Sequence, residues 1–361
     1  MTIKLLRGPI SLALLAAGAA TASAGTVYTE TNSAGANAVQ IFQSASDGSL
    51  SLAATVSTGG LGTGAGLGNQ GALALSGDDR YLYAVNAGSN EISAFTVSDA
   101  GLTLVDRVPS GGTHPISVTT HGRLVYVLNS GDSGNISGFH VGPDGHLRPI
   151  SGSSRPLSSA TAGPAEVSFS PDGSTLVVTE KALNQFAIYT VEDDVPSAPV
   201  TRASSGMTPF GFAFAPRGTL LVSEAFGGQA GASALSSYEI NEDVSLEVVS
   251  GSVPTNQTAA CWVVVARHGT YAYTTNTGSG TVTGYRVARS GELTRLSADG
   301  ISGTTGGGPT DGATAPDGRT MYVLSPSIGQ IVAFRVQADG SLLTLGSTPG
   351  VPGTATGLAV R

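Results

Sequence analysis

Four acidic residues recur at matching places in a chain that carries few charges: Glu166, Glu180, Glu224 and Asp311. Each stands near the end of a short apolar run. Carboxylates drawn round one opening repel one another, so at least one should hold its proton to higher pH and act as a general base or acid on water. His114, directly before Pro115, is placed to reach the same opening as a base. Asn86, Asn129 and Asn276 end equivalent runs. With the acids they offer hard oxygen donors suited to a divalent cation, which would polarise a carbonyl group; otherwise no cofactor is expected. Trp262 and Phe210 would form the apolar wall of a ligand pocket across a channel, or else a plug that fills it. Each of these polar residues also has a purely structural reading, because an Asn or Glu at a strand end commonly bonds local backbone. Cys261 has no cationic activator beside it in sequence and is not expected to act as a nucleophile.

The elements that must position these residues are strands. An alternating run ending in a polar residue recurs seven times: TVYTET (26–31), YLYAVN (81–86), LVYVLN (124–129), TLVVTE (175–180), TLLVSE (219–224), YAYTTN (271–276) and TMYVLS (320–325). A second apolar run follows each copy, and most copies are preceded by a further strand and a turn such as SPDG (170–173) or APDG (315–318). In these turns Pro presets φ and Gly accepts a positive φ. Period-two alternation in units of 40–50 residues marks the four-stranded antiparallel blade of a β-propeller. The expectation is an all-β, seven-bladed β-propeller in one domain over residues 25–361. The innermost strand missing from the first copy reappears at the far end as TGLAVR (356–361), so the C-terminal strand should pair into the first blade and close the ring. The Gly-rich stretches 57–69, 225–234 and 302–308 read as surface loops at blade edges.

Composition narrows the partners. Of 361 residues 51 are Gly, charged residues make up 12%, and the net charge is −8 without any basic run, which argues against a nucleic-acid partner. Lys4 and Arg7, the apolar stretch 10–20 and Ala22-Ser23-Ala24 read as a signal peptide cleaved after Ala24, giving a secreted or periplasmic protein with no membrane association after cleavage. The lone Cys261 makes no internal disulfide, so stability must come from the core.

The repeats YAYTTNTGSGTVTGYRV and YLYAVNAGSNEISAFTV, with GPAEVSFSPDG before a related copy, resemble the seven-bladed lactonase-type propellers, a group with 6-phosphogluconolactonases and carboxymuconate cyclases that grades into the YVTN-repeat propellers. The resemblance spans residues 26–361. It implies His, Arg and Glu side chains at the channel mouth. In this chain the inner-strand slot where His is common holds Ala72, Ser117, Glu166, Gly211, Trp262 and Asp311, and the preceding slot, where Arg is common, holds Gly71, Ile116, Ala165, Phe210, Cys261 and Thr310. Glu180 and Glu224 match acidic positions of the family. The implied function is an exported lactonase-like enzyme that hydrolyses or cyclises a small organic-acid lactone, with a channel-mouth carboxylate as base. The missing His and Arg argue against a phosphorylated substrate and leave open a non-catalytic propeller that binds a protein, glycan or small molecule.

Overall fold

The computed structural model describes residues 25–361. The proposed signal peptide and its cleavage site at residues 1–24 lie outside the described residues. From Gly25 onward the alternating runs form seven antiparallel sheets arranged as the blades of a propeller. Blade 1 joins Thr356–Val360 to Gly25–Glu30, Ala38–Ser44 and Leu50–Ser57, in that order from the inside. The C-terminal strand pairs with Gly25–Glu30 through Val27↔Val360 and Thr29↔Leu358, so the last residues close the ring as the repeat count requires. The inner strands of blades 2 to 7 are Leu73–Leu75, Pro115–His121, Pro164–Phe169, Pro209–Phe214, Ala260–Ala266 and Gly312–Thr314.

A single blade cannot bury both of its faces, and the core lies between blades. Tyr83 and Val85 of blade 2 pack with Val125, Val127 and Phe139 of blade 3. Tyr322 and Leu324 of blade 7 pack with Val27 and Phe42 of blade 1, together with Leu358 of the closing strand. Comparable clusters fill the other five junctions. Truncation after Ala355 removes six residues of chain, but its effect reaches further. It uncovers Val27 and Tyr28 and unpairs a whole strand edge, a loss of about 5 kcal/mol or more from apolar burial and hydrogen bonds together. The truncated protein is expected to melt at least about 7 °C below the full chain by circular dichroism, and an unchanged melting curve would contradict closure at this seam. No helix among the described residues is long and apolar enough to cross a membrane.

Candidate functional site

The seven inner strands surround a channel, and the chain itself enters it. The Gly-rich stretch 57–69, expected as a surface loop, ends by carrying Asn69, Gln70 and Gly71 into the axis. These three residues bond to every other blade. Asn69 donates from Nδ2 to the Ile116 carbonyl of blade 3, its carbonyl accepts from Trp262 Nε1 of blade 6 at 2.6 Å, and its Oδ1 accepts from Thr356 Oγ1 of blade 1 at 3.1 Å. The Gln70 backbone N–H donates to the Ala165 carbonyl of blade 4 at 3.1 Å. Its side-chain amide donates to the carbonyls of Phe212 (3.2 Å, blade 5) and Val263 (3.1 Å, blade 6) and accepts from the Val263 N–H at 3.0 Å. Gly71 accepts from the Val118 N–H of blade 3 at 2.8 Å and donates to Asp311 Oδ2 of blade 7 at 3.2 Å. Glycine is required at two of these contacts. Gly71 has φ +79°, and a Cβ on Gly211 would stand 2.0 Å from Gln70 Oε1.

Of the acidic residues expected at a common opening, two are in the channel. Glu166 and Asp311, from blades 4 and 7, are 6% and 4% exposed. Glu166 Oε2 accepts from the Phe212 N–H at 2.6 Å, and Asp311 accepts from the N–H groups of Gly71 and, at 2.9 Å, Gly312. Both hold their protons above the ordinary carboxylate range. Asp311 is pushed up to about 7, and Glu166 is raised well above its ordinary value. Burial is the chief cause in each, and the repulsion expected from crowding enters only as a lesser effect of Asp311 on Glu166.

The remaining expected residues do not converge on the channel. Glu180 accepts from the Ser158 N–H at 2.9 Å and from Gln185 Nε2 at 2.7 Å. Glu224 takes bonds from the Gly206 N–H (2.8 Å), Ser236 Oγ (2.6 Å) and Ser252 Oγ (2.7 Å). Asn86 holds Ser93 and Thr58, Asn129 holds Ser110 and Ser137, and Asn276 holds Thr281 and Thr283. All five are fully buried, and each ties the end of its second strand to the incoming chain or to the outer strands of its own blade. The structural reading of these positions is the one the geometry has. The first copy departs by one residue: the strand ends at Glu30 rather than Thr31, and Glu30, buried, accepts from Asn37 Nδ2 at 2.5 Å. A cation ring of Asn and Glu is not assembled, and among the described residues no group of three or more His, Cys, Asp or Glu side chains is placed to hold a metal ion.

Trp262 and Phe210 stand on neighbouring blades, not across the channel, with ring centroids 5.1 Å apart. With its indole N–H on Asn69, Trp262 is part of the plug. Cys261 is buried beside them, and burial pushes its thiol up to about 11, which agrees with no nucleophilic role. His114 sits in a left-handed conformation, φ +55°, with its N–H on Asn90 Oδ1 at 2.7 Å and its carbonyl accepting from the Ser130 N–H at 3.0 Å. Among the described residues its ring makes no hydrogen bond, so it is fixed through its backbone and not through the channel carboxyls.

Sequence reasoning missed Lys181. Its Nζ donates to the Gly68 carbonyl at 2.6 Å and lies 4.5 Å from the centre of the Phe210 ring. Burial pulls its ammonium down to about 8. A signal was present: the chain has two lysines, Lys4 and Lys181. The head of the channel thus joins an amine, an aromatic pair and the plug, with two protonatable carboxyls within the channel.

Residues 35–155 match the family model described as "Lactonase, 7-bladed beta-propeller". The chain resembles that family there, and over its full described length it has that family's seven-bladed architecture. Among solved structures it is similar to the Pseudomonas aeruginosa periplasmic gluconolactonase, at 18% identity and TM-score 0.71 over 93% of this chain and 98% of that one. It is also similar to a Bacteroides fragilis protein provisionally assigned as a 6-phosphogluconolactonase, at 19% identity and TM-score 0.69 over 95% and 99%. The hydrazine synthase of Kuenenia stuttgartiensis has the fold as well, at 17% identity and TM-score 0.62 over 90% and 99%. At such identities the likeness is one of fold, and the breadth of these three shows that the fold does not name the chemistry. No curated protein matches the chain.

Proposed function

We propose that the protein is an exported hydrolase of small, unphosphorylated lactones, working through Asp311 and Glu166. The observation that carries this reading is the pair itself: two buried carboxyls on inner strands, each held above the ordinary carboxylate range by burial. At neutral pH Asp311 is present in part as carboxylate and takes a proton from water as the water oxygen attacks the lactone carbonyl. Glu166, whose carboxyl burial raises well above its ordinary value, is the proton donor to the ring oxygen as the acyl–oxygen bond breaks, so the product is the open hydroxy acid. Lys181 places positive charge at the head, where the anionic product forms. The match to the lactonase family model supports the reaction class, and the character of residues 1–24 supports export, as does the periplasmic gluconolactonase among the similar structures.

One observation favours a second reading, a propeller that binds a small molecule or glycan without turning it over. Glu166 and Asp311 keep only a trace of exposure, and Gly71 of the plug bonds Asp311. The purified chain, assayed by pH-stat against a panel of γ- and δ-lactones, separates the two. Hydrolysis above the spontaneous rate, reduced about a hundredfold or more in Asp311→Asn with the fold intact, is expected. No turnover on the panel, or full activity in the variant, would overturn the catalytic reading.

A further inference from the structure

Blade 3 differs from its neighbours at the end of its inner hairpin. In blades 2, 4, 5 and 7 five residues join the inner to the second strand, and in blade 6 four. In blade 3 His121 and Leu124 are separated by Gly122 and Arg123 alone. Beside this short hairpin lies a cleft of about 580 Å³, bounded on the other side by Asp194 of blade 4.

The register sets what lines this cleft. His121 pairs directly with Leu124, Leu124 with His140, and His140 with Arg148, so one row crosses all four strands of the blade. Directly paired residues point to the same face, with about 4.8 Å between strands. The row therefore presents two imidazoles and a guanidinium on one wall. Arg123 joins them, its Nε anchored to the Val141 carbonyl at 3.0 Å. Asp194, the carboxylate of the cleft, is occupied by His140 Nε2 at 2.9 Å and so orients that ring. Neither Arg123 nor Arg148 has an ion-pair partner among the described residues. Leu124, Val141 and Pro143 supply apolar wall, and the His121 ring packs on Phe169 with centroids 5.7 Å apart. In a protein of net charge −8, this concentrates positive groups around an apolar slot of ligand size.

We propose that this cleft binds a small carboxylate with a flat apolar body, the body between Leu124 and Pro143 and the carboxylate held by the Arg123 and Arg148 guanidinium forks. The site is separate from the channel carboxyls and does not depend on the lactonase reading. Benzoate is the probe. Calorimetric titration of the full chain is expected to give one site that weakens about tenfold or more in Arg123→Ala/Arg148→Ala, while inorganic phosphate and citrate at matched ionic strength bind at least about tenfold more weakly than benzoate. Both arginines are exposed, and unchanged circular dichroism will show the variant to be folded. No benzoate binding up to about 10 mM, equal binding in the double variant, or phosphate binding as tight as benzoate would overturn the assignment.

Discussion

Gln70→Ala is expected to lower stability more than any other single side-chain truncation in the channel, by roughly 3–5 kcal/mol. The Gln70 amide satisfies two carbonyls and one N–H on the inner strands of blades 5 and 6, all buried. Truncation strips a partner from each, and an unsatisfied buried group costs about 1–3 kcal/mol. The lost side chain also leaves a cavity on the axis, where no neighbouring blade can collapse without moving the ring. For a domain of this size the melting temperature should fall by roughly 5–8 °C in differential scanning calorimetry. Gly211→Ala should act in the same direction, because its new methyl group would occupy the place of Gln70 Oε1. A shift of less than about 1 °C in both variants would mean that the plug does not brace the ring.

The second large effect is the pH dependence of stability set by Asp311. In the unfolded chain its carboxyl titrates near 4, and in the folded chain burial holds it at about 7. Below pH 4 both states carry the proton, and the contribution of this group to stability is at its fullest. Between about 4 and about 7 the unfolded chain releases the proton while the folded one keeps it. Stability is lost across this window by about 1.4 kcal/mol per pH unit, on the order of 4 kcal/mol in all, and levels off above it. Glu166, raised in the same direction, adds loss of the same sign. Asp47, Asp172, Asp243 and Asp339, lowered by the hydroxyl and backbone groups of their own turns, work in the opposite direction at acid pH. The informative quantity is therefore the difference between wild type and Asp311→Asn in chemical denaturation from pH 4 to 8. The variant should gain on the wild type steadily as pH rises, and a constant difference would place the Asp311 carboxyl in solvent.

The propeller was legible because its determinants are local and repeated. Alternation in YLYAVN or YAYTTN, Pro-Asp-Gly turns and the displaced strand TGLAVR each follow from short-range patterns, and seven copies reinforce one another. The site was legible only in part. Glu166 and Asp311 occupy inner-strand slots, and both are buried with their carboxyls on inner-strand or plug N–H groups. Glu180 and Glu224 share their position with Asn86, Asn129 and Asn276, and that equivalence means an equivalent task, the fastening of strand ends within each blade. Repeat position alone does not distinguish a side chain aimed at the axis from one aimed into the sheet. Gln70 and Lys181 escaped because no periodic pattern selects them. Gln70 ends a Gly-rich stretch that has no regular structure, and Lys181 lies in a short turn after the second strand of blade 4. Their roles come from contacts with residues as far apart in sequence as Gly68 and Val263, which only ring closure brings together.

Measurement of kcat/KM against pH, for hydrolysis of a δ-lactone by the wild-type chain and by Asp311→Asn, bears most directly on the proposed chemistry. Activity above the spontaneous background should rise with pH as the Asp311 carboxyl loses its proton, with an inflection near 7, and the variant should retain neither the rate nor the inflection. A wild-type profile without an inflection in that region, or the same inflection in Asp311→Asn, would contradict the assignment of this buried carboxyl as the base.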